Sequence, residues 1–88
     1  GLTIGTSITR NVSYYIVAHA SKFVKPGSVR IASNFANPLT SVAFKTPEGK
    51  KVLIVLNESS SSQTFNIQFN NMIAITDLAA GAVGTYIW

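Results

Sequence analysis

The stretch that decides the fold is SVAFKTPEGKKVLIVLN, residues 41–57. Val42 and Phe44 alternate with small or polar neighbours, which is typical of a strand with one buried face. The segment Thr46–Gly49 carries proline and glycine at the positions that a turn prefers. Residues 52–56 are then apolar throughout, as in a central strand covered on both faces. The stretch therefore predicts a β-hairpin whose second strand lies inside a sheet.

Further strands are predicted on both sides of this hairpin. Alternating or β-rich patterns recur at residues 29–31, 65–69, 72–76 and 83–88. Short strands about ten residues apart, with turns between them and no crossover helices, favour an antiparallel arrangement. We predict a mainly β fold, a small antiparallel β-sandwich of about six strands of the immunoglobulin-like or Greek-key type.

One α-helix is predicted before the sandwich, over Thr9–Val24, with Pro26 and Gly27 ending it. Apolar side chains lie at helical spacing on one side, and others occupy the opposite side. A helix with two apolar sides needs a partner on each, so we expect a neighbouring domain beyond this chain. We divide the chain into an N-terminal segment with the helix, residues 1–27, and a sandwich domain, residues 28–88.

Composition excludes several classes of function. The 88 residues are 47% hydrophobic and 11% charged, as expected for one folded domain. The seven lysine and arginine residues are scattered, whereas a nucleic-acid site would cluster them, so no nucleic-acid partner is predicted. Cysteine is absent, and no apolar run approaches the roughly 20 residues of a membrane span.

Few residues could carry catalysis or hold a metal. Glycosidic cleavage usually needs two carboxyl groups about 5 to 9.5 Å apart. The chain has only Glu48, Glu58 and Asp77, at spacings that pair no two of them, and a single histidine, His19. We therefore predict no catalytic residue, no metal and no cofactor in this chain.

Two surface features remain open to other roles. Tyr86 and Trp88 lie on one face of the last strand and form a weak candidate for stacking on sugars, although core or interface packing explains them better. Asn57-Glu58-Ser59 matches the N-glycosylation pattern, and we expect it to be accessible in a loop. A second match, at Asn11, falls inside the predicted helix.

Three segments resemble glycoside hydrolase family 30, which includes the glucosylceramidases. YYIVAHASKFVKPGSVRIAS, residues 14–33, is similar to the point where that family's chain leaves its catalytic barrel for a side β-domain. SVAFKTPEGKKVLIVLN, residues 41–57, and LAAGAVGTYIW, residues 78–88, resemble the β-domain itself. In the family this domain also takes in strand material from the enzyme's N-terminus.

The resemblance implies a function for the parent and for this piece of it. It implies a secreted parent, extracellular or periplasmic, that hydrolyses β-glycosides with retention and without a cofactor, on a β-glucan or a glycosphingolipid glycan. Its two catalytic glutamates belong upstream, so Glu48 and Glu58 inherit neither role, and this chain by itself is expected not to be an enzyme. The signal peptide is expected to lie outside this chain. We predict a C-terminal accessory domain that packs against the catalytic (β/α)8 barrel, through an interface that includes Tyr14, Tyr15, Val17, Ala18, His19 and Phe23.

Two other classes of function stay open. An independent carbohydrate-binding module would use Tyr86 and Trp88. An immunoglobulin-like adhesion or spacer domain would leave the second apolar side of the helix unexplained.

Overall fold

A computed structural model describes residues 3–8, 22, 24–69 and 71–88. These residues form seven strands: β1 (Thr3–Ile8), β2 (Val29–Ile31), β3 (Leu39–Lys45), β4 (Lys51–Asn57), β5 (Gln63–Phe69), β6 (Met72–Leu78) and β7 (Ala82–Ile87). Within these ranges no helix is both long and apolar enough to cross a membrane.

The strands form two antiparallel sheets. The larger sheet has the order β1-β7-β4-β3-β2, and the smaller one is the hairpin β5-β6. All paired strands are antiparallel, so the predicted antiparallel β-sandwich is confirmed.

Both predicted hairpins form as expected. Strands β3 and β4 pair from Leu39 with Asn57 to Lys45 with Lys51, and the turn between them has Gly49 at φ 85°. Strands β5 and β6 meet at the pair of Phe69 with Met72. Asn71 lies in the connecting turn at φ 62°, a left-handed conformation that asparagine tolerates better than most residues.

Strand β4 is the centre of the fold, as its apolar run predicts. Leu53 and Val55 face the smaller sheet and pack with Phe65, Ile67 and Tyr86. The β4 residues that alternate with them, Val52, Ile54 and Leu56, face the other side of the large sheet. They form a second buried cluster with Val83 of β7. Burial on both faces explains why this strand shows no polar alternation.

Strand β1 was not predicted, so the sandwich has one strand more than expected. It pairs along β7, from Thr3 with Ile87 to Ile8 with Ala82, and brings part of the N-terminal segment into the large sheet. The domain boundary at residue 28 stays a prediction. The predicted helix over Thr9–Val24 lies outside the described residues except at Lys22 and Val24.

Candidate functional site

The three carboxylates of the chain lie in different parts of the sandwich. Glu48, in the β3-β4 turn, forms an exposed ion pair with Lys25, at 2.9 Å from Nζ to Oε2. Glu58, after β4, accepts a hydrogen bond from the Thr40 hydroxyl. Asp77, on β6, accepts one from the Thr64 hydroxyl across the small sheet, at 2.6 Å. The three carboxylates thus interact with three different residues: Glu48 with Lys25, Glu58 with Thr40 and Asp77 with Thr64.

Glu48 and Glu58 are far apart because they lie beyond opposite ends of β4. That strand has seven residues, and its length at about 3.3 Å per residue is about 20 Å. A glycosidase pair needs about 5 to 9.5 Å between its carboxyl groups. These two glutamates are thus separated by about twice the largest productive distance. Across the described part of the chain, no group of three or more potential metal ligands comes together.

The two aromatic residues that were considered for sugar stacking differ in burial. Tyr86 is 0% exposed and packs edge-to-face on Phe65, with ring centroids 5.8 Å apart. It is therefore a core residue that no sugar can reach in this fold. Trp88 lies on the same face of the large sheet and is only partly buried. It lines an open groove.

This groove, which we call the Trp88 groove, has a volume of about 370 Å³. It lies between the sheets, where β4 begins and β7 ends. Its lining combines two aromatic residues, Phe35 and Trp88, with the polar residues Ser33, Asn34 and Lys51, and residues 66–68 of β5 border it. Its volume is within the range of about 300 to 1,000 Å³ that is usual for small-ligand pockets.

The backbone of Trp88 is held at the groove by two hydrogen bonds to Lys51. The Lys51 N–H donates to the Trp88 carbonyl at 2.7 Å, and the Trp88 N–H donates to the Lys51 carbonyl at 3.0 Å. Two residues that exchange both bonds lie directly opposite each other with their side chains on one face. The indole and the lysine side chain therefore emerge together at this end of the sheet.

The opposite wall of the groove is anchored by side chains. Phe35 packs edge-to-face on Phe65, with ring centroids 5.3 Å apart. The Ser41 hydroxyl of β3 donates to the Ser33 hydroxyl at 2.9 Å. These contacts hold the irregular segment 32–36 beside β5.

Asn57 is a buried connector and not part of an accessible loop, which corrects the expectation from its sequence motif. Its side chain is 0% exposed. The Nδ2 group donates to the carbonyl oxygens of Ser61, Leu78 and Ala79, at 2.8, 2.9 and 3.3 Å. Oδ1 accepts from the N–H and the hydroxyl of Ser59. Asn57 thus ties the end of β4 to the end of β6.

The residues predicted to contact a barrel all lie outside the described residues, so that interface stays a prediction: Tyr14, Tyr15, Val17, Ala18, His19 and Phe23. A different apolar surface is visible on β6, where Ile73 and Ile75 are 65% and 77% exposed. The register places both on the face of the hairpin that carries Asn66 and Gln68, away from the core. We call these two isoleucines the β6 patch.

Sequence reasoning found Trp88 but not its neighbours in the groove. Asn66 and Gln68 were recognised only as the polar positions of an alternating strand, and Asn34 was not singled out. The described lining comes from five separate stretches of the chain, residues 31–35, 43, 51–53, 66–68 and 88, and no local pattern indicates that they meet.

Comparisons with known proteins agree on one family. Residues 27–86 match the family model described as the glycosyl hydrolase family 30 beta sandwich domain. The lysosomal acid glucosylceramidase of Mus musculus is 32% identical over 78 residues, which are 85% of this chain and 15% of the mouse protein.

Two solved structures share the fold. The crystal structure of SrfJ from Salmonella typhimurium superimposes with a TM-score of 0.76 and 27% identity, over 91% of this chain and 18% of that one. The endo-β1,6-glucanase BT3312 gives a TM-score of 0.74 and 33% identity, over 93% of this chain and 18% of that one. The chain thus spans less than a fifth of the length of each of these three proteins.

Proposed function

The chain belongs to the glycosyl hydrolase family 30 β-sandwich domain family, and on that premise we propose that it is the C-terminal accessory domain of a retaining, glucosylceramidase-like β-glycoside hydrolase. Its role is to pack against the catalytic (β/α)8 barrel and stabilise it. The observation that carries this proposal is the family match over residues 27–86.

The distribution of carboxylates supports a non-catalytic role for the chain itself. Glu48 and Glu58 lie beyond opposite ends of β4, and Asp77 is hydrogen-bonded to Thr64 on the small sheet. Retaining hydrolysis requires two carboxyl groups about 5 Å apart. The proposal therefore assigns the catalytic pair to the barrel of the parent.

The β6 patch supports packing against another part of the parent. Ile73 and Ile75 are large apolar side chains side by side on one face of a two-stranded sheet. Exposed apolar patches commonly mark interfaces. The occupant that we propose is the remainder of the parent, because the matched relatives extend well beyond this domain.

The parent's setting is part of the same proposal. We place it in an extracellular or periplasmic location and assign it a β-glucan or glycosphingolipid glycan as substrate. Two relatives support this class of substrate, because one is named a glucosylceramidase and the other an endo-β1,6-glucanase.

The test compares the isolated chain with its full-length parent on aryl β-glucosides and β-glucans. We expect background rates from the chain and hydrolysis by the parent. In the parent, Glu48→Gln, Glu58→Gln and Asp77→Asn should leave kcat within about twofold, because a true catalytic carboxylate would cost orders of magnitude. Turnover by the purified chain, abolished by one of these substitutions, would refute the non-catalytic role.

The packing role has its own test. Ile75→Lys should lower the Tm of the parent but leave the isolated chain nearly unchanged, since Ile75 is already exposed there. Thr64→Lys, on the same face of the hairpin but outside the apolar patch, is the matched control. Equal effects of Ile75→Lys on both proteins would argue against an interface at the β6 patch.

A second role, carbohydrate binding by the domain itself, is favoured by one specific feature, the Trp88 groove. It is compatible with the accessory role, because one surface can bind sugar while another packs on the barrel.

A further inference from the structure

We propose that the Trp88 groove binds a short stretch of neutral, β-linked oligosaccharide. The β-linkage rests on the proposed function, because it is the class of bond that the parent is proposed to cut. The preference for a neutral saccharide rests on the groove alone.

The first argument is the fixed aromatic wall. Sugars present apolar C–H faces that pack on aromatic rings, while their hydroxyl groups need polar partners. Trp88 is joined to Lys51 by two backbone hydrogen bonds, and Phe35 is seated on Phe65. Because the Phe35 ring and the Trp88 backbone are both held before a ligand arrives, part of the ordering cost of binding is already met.

The second argument is the kind of polar group around these rings. Asn34 is an exposed residue of the lining, and its amide both donates and accepts hydrogen bonds. A sugar hydroxyl also does both, so amides match it without regard to charge.

The charged groups of the lining argue against a preference of the groove for anionic ligands. Among the lining residues that the structure describes, Lys51 is the single charged one, and none is an arginine or a carboxylate. Recognition of phosphate or carboxylate typically uses arginine forks or several cations. One lysine beside the Asn34 amide and the Ser33 hydroxyl fits a neutral ligand better.

An extended peptide is the main rival occupant. Asn66, Ile67 and Gln68 are consecutive in β5, so the edge of that strand borders the groove, and a peptide could pair with it. The facing segment 32–36, however, is irregular and offers no second strand edge. A peptide would gain main-chain bonds on one side only.

Fluorescence gives a direct test, because Trp88 is the only tryptophan of the chain. The 88-residue chain is titrated with a β-1,6-linked glucose trisaccharide, with a β-1,4-linked one, with maltotriose as the α-linked counterpart, and with an extended neutral peptide. We expect a saturable change with at least one β-linked trisaccharide and a weaker response to maltotriose and to the peptide.

Variants locate the binding. Isothermal titration calorimetry measures the variants, because substitution of Trp88 removes the fluorescent reporter. Trp88→Ala should weaken binding at least about tenfold, which corresponds to about 1.4 kcal/mol, and Trp88→Phe should retain most of it. Asn34→Ala, at an exposed position where folding is not at risk, should also weaken it. Lys25→Ala, outside the groove lining, should leave affinity unchanged, and circular dichroism checks that each variant folds.

The outcomes separate the two proposals. No saturable response to any saccharide, or binding of the peptide alone, overturns the saccharide site and leaves the accessory role of the domain standing. If maltotriose binds as tightly as the β-linked trisaccharides or more tightly, the proposed preference for a β-linkage is wrong. That preference is the part that rests on the proposed function. Saccharide binding that survives both Trp88→Ala and Asn34→Ala overturns the location.

Discussion

The aromatic ring of Tyr86 lies against the backbone of Gly84, two residues earlier on the same face of β7. A Cβ atom at Gly84 would lie 2.8 Å from Cζ and 2.9 Å from Cε2 of that ring. Side-chain carbons do not approach each other so closely, so the ring occupies space that only glycine leaves free. Tyr86 in turn packs on Phe65 of the small sheet, and this pair of residues therefore sets how the two sheets meet.

Gly84→Ala should destabilise the domain by about 1 to 3 kcal/mol, since an added methyl group in a filled core forces side chains to shift. Urea unfolding followed by circular dichroism measures the change. The substitution is repeated in a Tyr86→Leu background, where the smaller side chain relieves the clash and the cost of the methyl group should fall. An equal cost in both backgrounds would show that the two residues are not coupled.

Tyr86→Phe should leave stability unchanged or raise it by up to about 1 kcal/mol. The Tyr86 hydroxyl is buried and, among the described residues, has no hydrogen-bond partner. Removing it relieves an unpaired polar group and keeps the ring that packs on Phe65. Unfolding in urea at neutral pH tests this. A loss of more than about 1 kcal/mol would mean that the hydroxyl has a stabilising partner.

The same phenol should make stability fall at alkaline pH. Burial raises the pKa of Tyr86 from 10.0 to about 12. Between these values the unfolded chain has lost the proton and the folded chain has kept it, so stability falls as pH rises through this window and is fully present below it. Tyr86→Phe lacks this contribution, whereas other titrating groups affect both proteins alike. The stability difference between wild type and variant should therefore change between about pH 9 and about pH 11. Parallel curves would argue against a shifted phenol.

Local patterns predicted most of the sandwich because strands and tight turns have local causes. The alternation at Phe65 and Ile67, the apolar run of β4 and the glycine at residue 49 each act within a few residues of the chain. Strand β1 was missed because its short sequence, TIGTSI, contains a glycine and little apolar alternation. Its pairing partner, β7, is more than seventy residues away in the chain.

The candidate site was less predictable than the fold. Trp88 was recognised as an aromatic residue, but its groove depends on how segment 32–36 packs against β5. Asn57 was misread for a related reason. It precedes a run of serines that looks like an exposed loop, whereas its side chain donates to the Leu78 and Ala79 carbonyl groups, which lie more than twenty residues further along the chain.

Asn57→Ala should destabilise the domain by about 2 to 4 kcal/mol, because it leaves one buried and two partly buried carbonyl groups without their donor. Ser59→Ala is the matched control. It removes one hydroxyl contact to Asn57 Oδ1 but keeps the backbone N–H that donates to the same oxygen at 2.9 Å. We expect it to cost about 1 kcal/mol or less. Chemical denaturation measures the free energy of unfolding of both variants, and equal losses would contradict a central role of Asn57 in stability.

The glycosylation motif at Asn57 should remain unmodified in the folded domain. A glycan would be attached to Nδ2, and that atom donates to three carbonyl oxygens inside a side chain that is 0% exposed. When the chain is secreted from a eukaryotic host, peptide mapping by mass spectrometry should find Asn57 without a glycan in folded protein. Ala36→Ser creates a control motif at Asn34, whose side chain is exposed, and that site should be modified. Folded protein with a glycan on Asn57, and with the circular dichroism spectrum of the unmodified chain, would contradict the buried position of this amide.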